Sequence, residues 1–302
     1  MIALVDGNNF YVSCERAFDL SLRGRPVAVL SNNDGCVISR SQECKDLGIA
    51  MGTPFFQLRP KLKALGLAVR SSNYALYGDL SRRVIMTLRA FSPDVEQYSI
   101  DEAFVHFSGR PPRGGWEKLG DEMRARVWQW VGIPCGVGLA PTKTLAKIAN
   151  HIGKKLPGGV FVMPDDRREV LTATPVGEVW GVGRQQKRKL EMLGLDTAWK
   201  LAQADERDVQ KRFSVVLART VLELRGEAAV PPEDPGRDAQ SVSYSRSFGR
   251  AVATADDLAE AVCHYAAIAA EKLRRGRQVA AGANVFCEMC VERPAPGRYG
   301  EA

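Results

Sequence analysis

Apolar and polar positions change period several times along the chain. Ile2 to Val5 form a continuous apolar run that meets Asp6, Gly7, Asn8 and Asn9, the pattern of a buried strand closed by a turn. Phe10, Cys14 and Phe18 then share helical spacing, which predicts a helix over about 11–18. Strands follow at Pro26–Leu30 and Cys36–Ser39, and a helix from Gln42 to Leu47 stops at Gly48. Pro54 and Pro60 interrupt the next stretch. Helix and strand then alternate: a helix at Leu80–Phe91, strands near Val95–Tyr98 and Ala103–His106, a helix around Trp116–Trp130, a strand at Cys135–Leu139 and a helix at Pro141–Gly153. One strand cannot bury itself, so residues 1–10 must pair with these later strands in a mixed sheet backed by helices.

The texture changes after residue 163. Gly181-Val182-Gly183 opens a helix, a second helix follows Asp196, and Arg184, Lys187, Arg188 and Lys189 lie just beyond the turn. Residues 226–239, GEAAVPPEDPGRDA, read as an exposed linker. Val242, Tyr244, Arg246 and Phe248 alternate as a strand, Ala255–Arg275 reads as an amphipathic helix, and Val279–Phe286 reads as a further strand.

Composition narrows the class of protein. At 302 residues two or three domains are expected, and a 45% hydrophobic fraction supplies cores for them. A net charge of +7 and a pI near 9.1 favour a polyanionic partner, a property shared with many ordinary basic proteins. Seven scattered cysteines suit reduced thiols in a cytosol, and the single CxxC at Cys287 and Cys290 is a poor zinc site without a second pair or a nearby histidine. No signal peptide is evident, and no apolar run approaches the ~20 residues of a membrane span. The expected location is cytoplasmic.

Candidate chemistry sits in two strings. IALVDGNNFY at residues 2–11 and YSIDEAF at 98–104 each read as an apolar strand ending on carboxylates, Asp6 in one and Asp101 with Glu102 in the other. Neighbouring strands that deliver acids to one sheet end make an all-oxygen pocket suited to Mg²⁺. Three acids exceed the need of one ion and favour a two-metal site for phosphoryl transfer. The bland alternative is capping of turns after buried strands, where Asp is common; two such strings together favour the metal reading. Phe10 and Tyr11 either stack under a sugar or base or belong to the core. Lys143 and Lys147, one helical turn apart, face either a phosphate or solvent. The basic hairpin around Gly181 and Gly183 either meets a DNA phosphate through its backbone N–H groups or is a plain helical hairpin with a solvated face.

DGNNFYVSCE, SNNDGCVISRSQECKDLGI, YSIDEAF, GVGLAPTKTLAKIAN and SVSYSRSFG, in this order, resemble the Y-family translesion DNA polymerases, specifically the UmuC branch. The resemblance runs from residue 1 to about 280. It implies an α+β fold: a ferredoxin-like catalytic palm (1–10 and 76–163), small fingers (11–75), a helix-hairpin-helix thumb (164–230), the linker (226–239) and an incomplete α/β little finger (240–302). The sequence after Phe286 looks like neither the second helix nor the remaining strands of a little finger. With eight Lys/Arg against seven Asp/Glu, residues 240–302 are expected to grip DNA weakly.

The implied activity is error-prone, template-directed addition of a nucleotide from a dNTP to a primer 3′-hydroxyl with two Mg²⁺ ions. The implied site has Asp6, Asp101, Glu102 and the Gly7 carbonyl as metal ligands and Tyr11 as a gate against the 2′-hydroxyl. Lys45, Lys154 and Gln42 contact the incoming nucleotide, although many relatives carry Tyr at the position of Gln42. Gly181, Gly183, Arg184 and Lys187 contact DNA. Implied partners are primer-template DNA, a processed UmuD-like dimer, a RecA filament and a sliding clamp. The competing readings are a catalytically weak or inactive DNA-binding protein derived from such a polymerase, and a nucleotide cyclase, which has no reason to carry the basic hairpin.

Overall fold

The computed structural model describes residues 1–232, 240–246, 248 and 252–287. The chain divides into two compact units, Met1–Asp234 and Pro235–Ala302.

In the first unit the elements run β1 (Ile2–Gly7), α1 (Phe10–Phe18), β2 (Val27–Leu30), β3 (Val37–Arg40), α2 (Gln42–Asp46), α3 (Phe55–Leu58), β4 (Ala68–Arg70) and α4 (Tyr74–Leu88). They continue with β5 (Val95–Gln97), β6 (Glu102–His106), α5 (Gly115–Val131), β7 (Cys135–Ala140), α6 (Lys143–Gly153) and β8 (Val160–Val162). Five short helices follow: α7 (Arg168–Ala173), α8 (Arg184–Met192), α9 (Ala198–Gln203), α10 (Glu206–Arg212) and α11 (Val215–Arg225).

Five strands form the main sheet in the order β5-β6-β1-β7-β8. β1 lies at its centre and is antiparallel to both β6 and β7. Alternation along β1 sorts its side chains to two cores. Ala3 and Val5 join Leu80, Met123 and Val127 of α4 and α5. Ile2 and Leu4 join Leu145, Ala146 and Ala149 of α6, together with Leu171, Leu190, Leu201 and Val221 of the helical segment. That shared second core explains why residues 1–234 are one compact unit rather than separate bodies. The second sheet, β3-β2-β4, has its own core around Leu30, Val37, Cys44 and Leu58.

α6 approaches the sheet more closely than a side chain would permit. A Cβ at Gly138 of β7 would run into the backbone of Ala146 and Asn150. Asn150 uses this closeness to donate from Nδ2 to the Leu4 carbonyl at 3.2 Å.

Several sequence expectations need correction. Tyr98–Ile100 is not a strand. It is the turn between β5 and β6, closed by Tyr98 N–H and Ser99 N–H donating to the Glu102 carbonyl at 3.1 Å each. α4 starts at Tyr74 rather than Leu80, because the Asn73 side chain caps it by accepting from Leu76 N–H at 3.1 Å. β4 and β8 are additions to the sequence reading; both are three-residue strands that pair parallel to interior strands. The first part of the expected linker is fixed rather than free. Glu223, buried in α11, accepts from Ala229 N–H at 2.8 Å and Val230 N–H at 3.1 Å.

In the second unit α12 (Ala255–Arg275) forms as its amphipathic pattern requires, capped by Thr254 accepting from Asp257 N–H. Tyr244 packs against Tyr265 with ring centroids 5.2 Å apart. The expected strands at 242–248 and 279–286 do not pair into a sheet among the described residues. A lone extended segment finds no ladder partner, and Val279, Val285 and Phe286 are strongly exposed. Cys290 lies outside the described residues. Among those residues, no helix is long and apolar enough to cross a membrane.

Candidate active site

The acids come together through register. Asp6 ends the alternation Ile2, Leu4, Asp6 on the α6 face of β1, and its cross-strand partner is Glu102, the first residue of β6. Directly opposed residues on antiparallel strands project to the same face. Asp101 sits one residue earlier, in the turn. Ser99 Oγ donates to Asp101 Oδ1 at 2.6 Å and accepts from Glu102 N–H at 3.0 Å, which fixes the turn's shape. The Asp101 carbonyl also accepts Gly7 N–H at 2.9 Å, locking the turn to the end of β1. A Cβ at Gly7 would lie 2.8 Å from the Phe10 ring, so the chain can bend into α1 here only with glycine.

The carboxylates feel one another. Burial pushes Asp6 up to about 6, Lys154 pulls it down in part, and the charges of Glu102 and Asp101 raise it further. Two lysines of the α6 segment answer this crowding: Lys154 Nζ is 2.5 Å from Asp6 and Lys147 Nζ is 2.8 Å from Glu102. Among the described residues, no three acidic, histidine or cysteine side chains stand ready as a chelating group. The donors nevertheless fit a hard divalent cation in kind: three carboxylates and a nearby backbone carbonyl, all oxygen, with mutual repulsion that a cation relieves. Chelation by all three acids requires the two ammonium groups to yield.

Tyr11 stands beside the acids. Its ring stacks on Tyr77 at 4.4 Å and meets Tyr74 edge-on at 6.0 Å. Burial, with Tyr74 and then Asp101 adding to it, raises its pKa. Lys45 is exposed and its pKa is lowered, first by burial and then by the charges of Arg40 and Lys154. Arg40, Lys45 and Lys154 are thus near enough for their charges to act on Lys45, and of the three Lys154 contacts Asp6; Arg40 donates to the Ile49 carbonyl at 2.7 Å and carries no sequence signal of this proximity. Gln42 is exposed and donates to Asp46 at 2.9 Å, bracing its own helix.

Lys143 faces neither phosphate nor solvent. It is buried against Glu96 at 2.7 Å and also donates to the Pro231 carbonyl at 3.0 Å. His106 lies 3.4 Å from the same Glu96. Lys143 and Lys147 are nonetheless on one helix face, as their spacing requires.

Gly181, at φ 85°, and Gly183 shape the turn that opens α8, with Val182 buried between them. Gly183 has no side chain with which to cap α8, and its own N–H donates to Gln186 Oε1 at 3.3 Å, which leaves the N–H groups of residues 184–186 facing outward from the first turn. Arg184, Lys187, Arg188 and Lys189 are exposed around them. Lys187 lies over Gly177 and within 3.7 Å of Glu191, so its charge is shared. Trp180, just before the turn, contacts Tyr98 and Lys147. Its place beside the Gly181–Gly183 turn gives no sequence signal for that contact.

Comparison with known proteins adds three results. The sequence matches the impB/mucB/samB family over residues 5–151, the IMS family HHH motif over 164–195, and the impB/mucB/samB family C-terminal domain over 239–289. It is 47% identical over 283 residues to protein UmuC of Salmonella typhimurium, covering 92% of this chain and 67% of that protein. It is 31% identical over 276 residues to DNA polymerase IV 1 of Bacillus subtilis, covering 90% and 66% of the two chains. The fold matches the insertion ternary complex of Dbh DNA polymerase with a TM-score of 0.66 at 24% identity, over 77% of this chain and 70% of that one.

Proposed function

The chain belongs to the impB/mucB/samB family, in the UmuC branch of the Y-family DNA polymerases, and from that premise we propose that Asp6, Asp101 and Glu102 are the catalytic carboxylates of an error-prone, lesion-bypass DNA polymerase. The reaction is template-directed transfer of a nucleotide from a dNTP to a primer 3′-hydroxyl. The observation that carries the site assignment is the register pair Asp6 and Glu102, with Asp101 bonded through its backbone to Gly7.

Y-family relatives use divalent metal ions; here the reading is two Mg²⁺, held by the three acids and the Gly7 carbonyl. Bound Mg²⁺ supplies charge neutralisation at phosphate oxygens and lowers the pKa of the attacking hydroxyl. The protein does the rest. Ser99 and Gly7 hold the acid-bearing turn in place before substrate arrives. Lys154, Lys45 and Arg40 offer cations to a triphosphate, with Gln42 at the edge of the same group. On this assignment Lys154, which pairs with Asp6 here, would offer its ammonium to phosphate oxygens, and Asp6 would be left to hold metal. Tyr11, backed by Tyr77, limits room at the sugar's 2′ position.

The domain reading assigns 1–10 and 76–163 to a palm, 11–75 to fingers, 164–230 to a thumb and 240–302 to part of a little finger. The thumb's Gly181–Gly183 turn with Arg184 and Lys187 meets duplex phosphates. A processed UmuD-like dimer, a RecA filament and a sliding clamp are proposed partners, and the cytoplasm is the proposed compartment. Primer extension on a defined template, with Mg²⁺ and with Asp101→Ala as control, tests the assignment. Extension that persists in Asp101→Ala overturns it.

A further inference from the structure

We propose that Trp180 is a positioning residue for Glu102, acting through Lys147, so that the DNA-facing hairpin and the catalytic acid are mechanically coupled. The proposal rests on the polymerase reading above. Lys147 Nζ lies 2.8 Å from Glu102 Oε1 and faces three aromatic rings: Tyr98 at 4.4 Å, Trp180 at 5.4 Å and Phe104 at 6.0 Å. Its side chain is 17% exposed, so the ammonium is largely stripped of water, the condition in which ring faces attract a cation most. Tyr98 meets both other rings edge to face, Trp180 at 5.5 Å and 89° and Phe104 at 5.7 Å and 60°, while Phe104 and Trp180 are tilted at 44°. Trp180 Nε1 donates to Tyr98 Oη at 3.2 Å.

Each wall of this box has a second attachment. Phe104 is two residues beyond Glu102 on the same face of β6. Tyr98 donates its backbone N–H to the Glu102 carbonyl at 3.1 Å. Trp180 alone of the three comes from the hairpin, directly before Gly181 and the start of α8 at Gly183. An apolar core would need the rings but no ammonium among them. The cation at their centre, hydrogen-bonded to a catalytic carboxylate, gives the cluster its assigned work. Displacement of the Gly181–Gly183 turn on a DNA phosphate shifts the indole, and the indole sets where Lys147 holds Glu102.

The test compares the full chain with Trp180→Leu, Trp180→Phe, Lys147→Gln and the Trp180→Leu/Lys147→Gln double variant. Leucine keeps an apolar side chain in the second core without a ring face; phenylalanine restores a face. Three quantities are measured: kcat for single-nucleotide extension, primer-template Kd by fluorescence anisotropy, and Mn²⁺ binding to DNA-free protein by electron paramagnetic resonance. Trp180→Leu should lower kcat by about two- to thirtyfold, the equivalent of one desolvated cation–ring contact. Primer-template Kd should hold, because the indole neutralises no phosphate. The double variant should be no slower than Lys147→Gln, and Trp180→Phe should recover most of the loss.

Mn²⁺ should bind more tightly to Trp180→Leu and to Lys147→Gln, and the double variant should bind it no more tightly than Lys147→Gln, because the ammonium that competes for Glu102 is loosened or gone. Additive losses in kcat, unchanged or weaker Mn²⁺ binding, or a loss confined to Kd would overturn the coupling. If the parent chain fails to extend primers, the polymerase reading falls, and the Mn²⁺ series still decides whether Trp180 acts through Lys147. If Trp180→Leu does not fold, Trp180→Met, which also lacks a ring face, takes its place in the same Mn²⁺ measurement: affinity equal to the parent's in either Trp180→Met or Lys147→Gln removes the proposal.

Discussion

Tyr11 lies flat against Tyr77, with ring centroids 4.4 Å apart and planes 17° from parallel. Tyr77 is itself fully buried and donates from its hydroxyl to Glu15 at 2.7 Å, so the ring behind Tyr11 cannot retreat. A ring braced in this way makes a firm wall for a sugar. Tyr11→Ala should raise the ratio of ribonucleotide to deoxynucleotide incorporation by about 10- to 100-fold, the range that a change in pocket shape supplies. Tyr11→Phe keeps the wall and should keep the ratio. Equal ratios in Tyr11→Ala and the parent would return Tyr11 to a packing role.

Asp6→Ala and Asp101→Ala should each lower single-nucleotide extension by at least ~10²–10³-fold, the scale on which one preorganised electrostatic partner acts. Both variants should keep the parent's primer-template affinity. Loss of affinity in step with loss of rate would place these acids in DNA binding instead.

Metal-free stability should depend on Asp6 with a defined sign. Its folded pKa, about 6, lies above its ordinary value of 3.8, so the folded chain binds the proton more tightly than the unfolded chain. The contribution of Asp6 to stability is then fully present below pH ~4 and is lost as pH rises through ~6, by up to about 3 kcal/mol for a shift of that size. Asp6→Asn should melt higher than the parent at pH 7.5, with the gap closing as pH falls to 4. Lys154→Met removes the contact that lowers Asp6, so it should widen the gap. A gap independent of pH would show that Asp6 carries no such cost.

The Lys143–Glu96 pair offers a separate measure of how α6 is held to the main sheet. Both side chains are nearly inaccessible, at 4% and 7% exposure. Removing Lys143 takes the closest cation from a buried carboxylate that His106 also approaches at 3.4 Å, so Lys143→Met should cost up to about 3–5 kcal/mol by denaturant unfolding. The double variant with Glu96→Leu should recover a large part of it. A double variant as unstable as the sum of the two singles would mean the pair is not coupled.

What is visible in the sequence, and what is hidden, divides along physical lines. Asp6 and the β1 strand are readable because a continuous apolar run ends on an acid. Asp101 and Glu102 lie in the right string for an incomplete reason: Tyr98–Ile100 has the apolar look of a strand, and only the Ser99 hydrogen bonds reveal it as a turn. Single-strand pattern cannot report cross-strand register, which is what places Glu102 opposite Asp6. Lys143 illustrates a harder limit. A lysine one helical turn from another reads as facing a phosphate or solvent, and its partner Glu96 lies 47 positions away. The strands expected at 242–248 and 279–286 have the right alternation, but alternation supplies no hydrogen-bonding neighbour. Trp180 looks like one more core aromatic, because nothing local marks a ring that faces a distant ammonium.

Gly138 lets α6 lie directly on the sheet, and one face of that helical segment then acts as a measuring rod. Lys143 reaches Glu96 of β5, Lys147 reaches Glu102 of β6 and Lys154 reaches Asp6 of β1: three consecutive strands, three cations in sequence order. At about 100° per residue these positions stay within about 40° of one line along the helix. The arrangement is therefore intolerant of changes in phase while tolerant of many changes in composition. One residue inserted between Lys143 and Lys147 would turn every lysine beyond it by about 100° and dismantle the contacts with Glu102 and Asp6 together. Geometry fixes the length of this segment: a substitution alters one contact, whereas an insertion or deletion alters the alignment of the helix with the whole acid-bearing edge of the sheet.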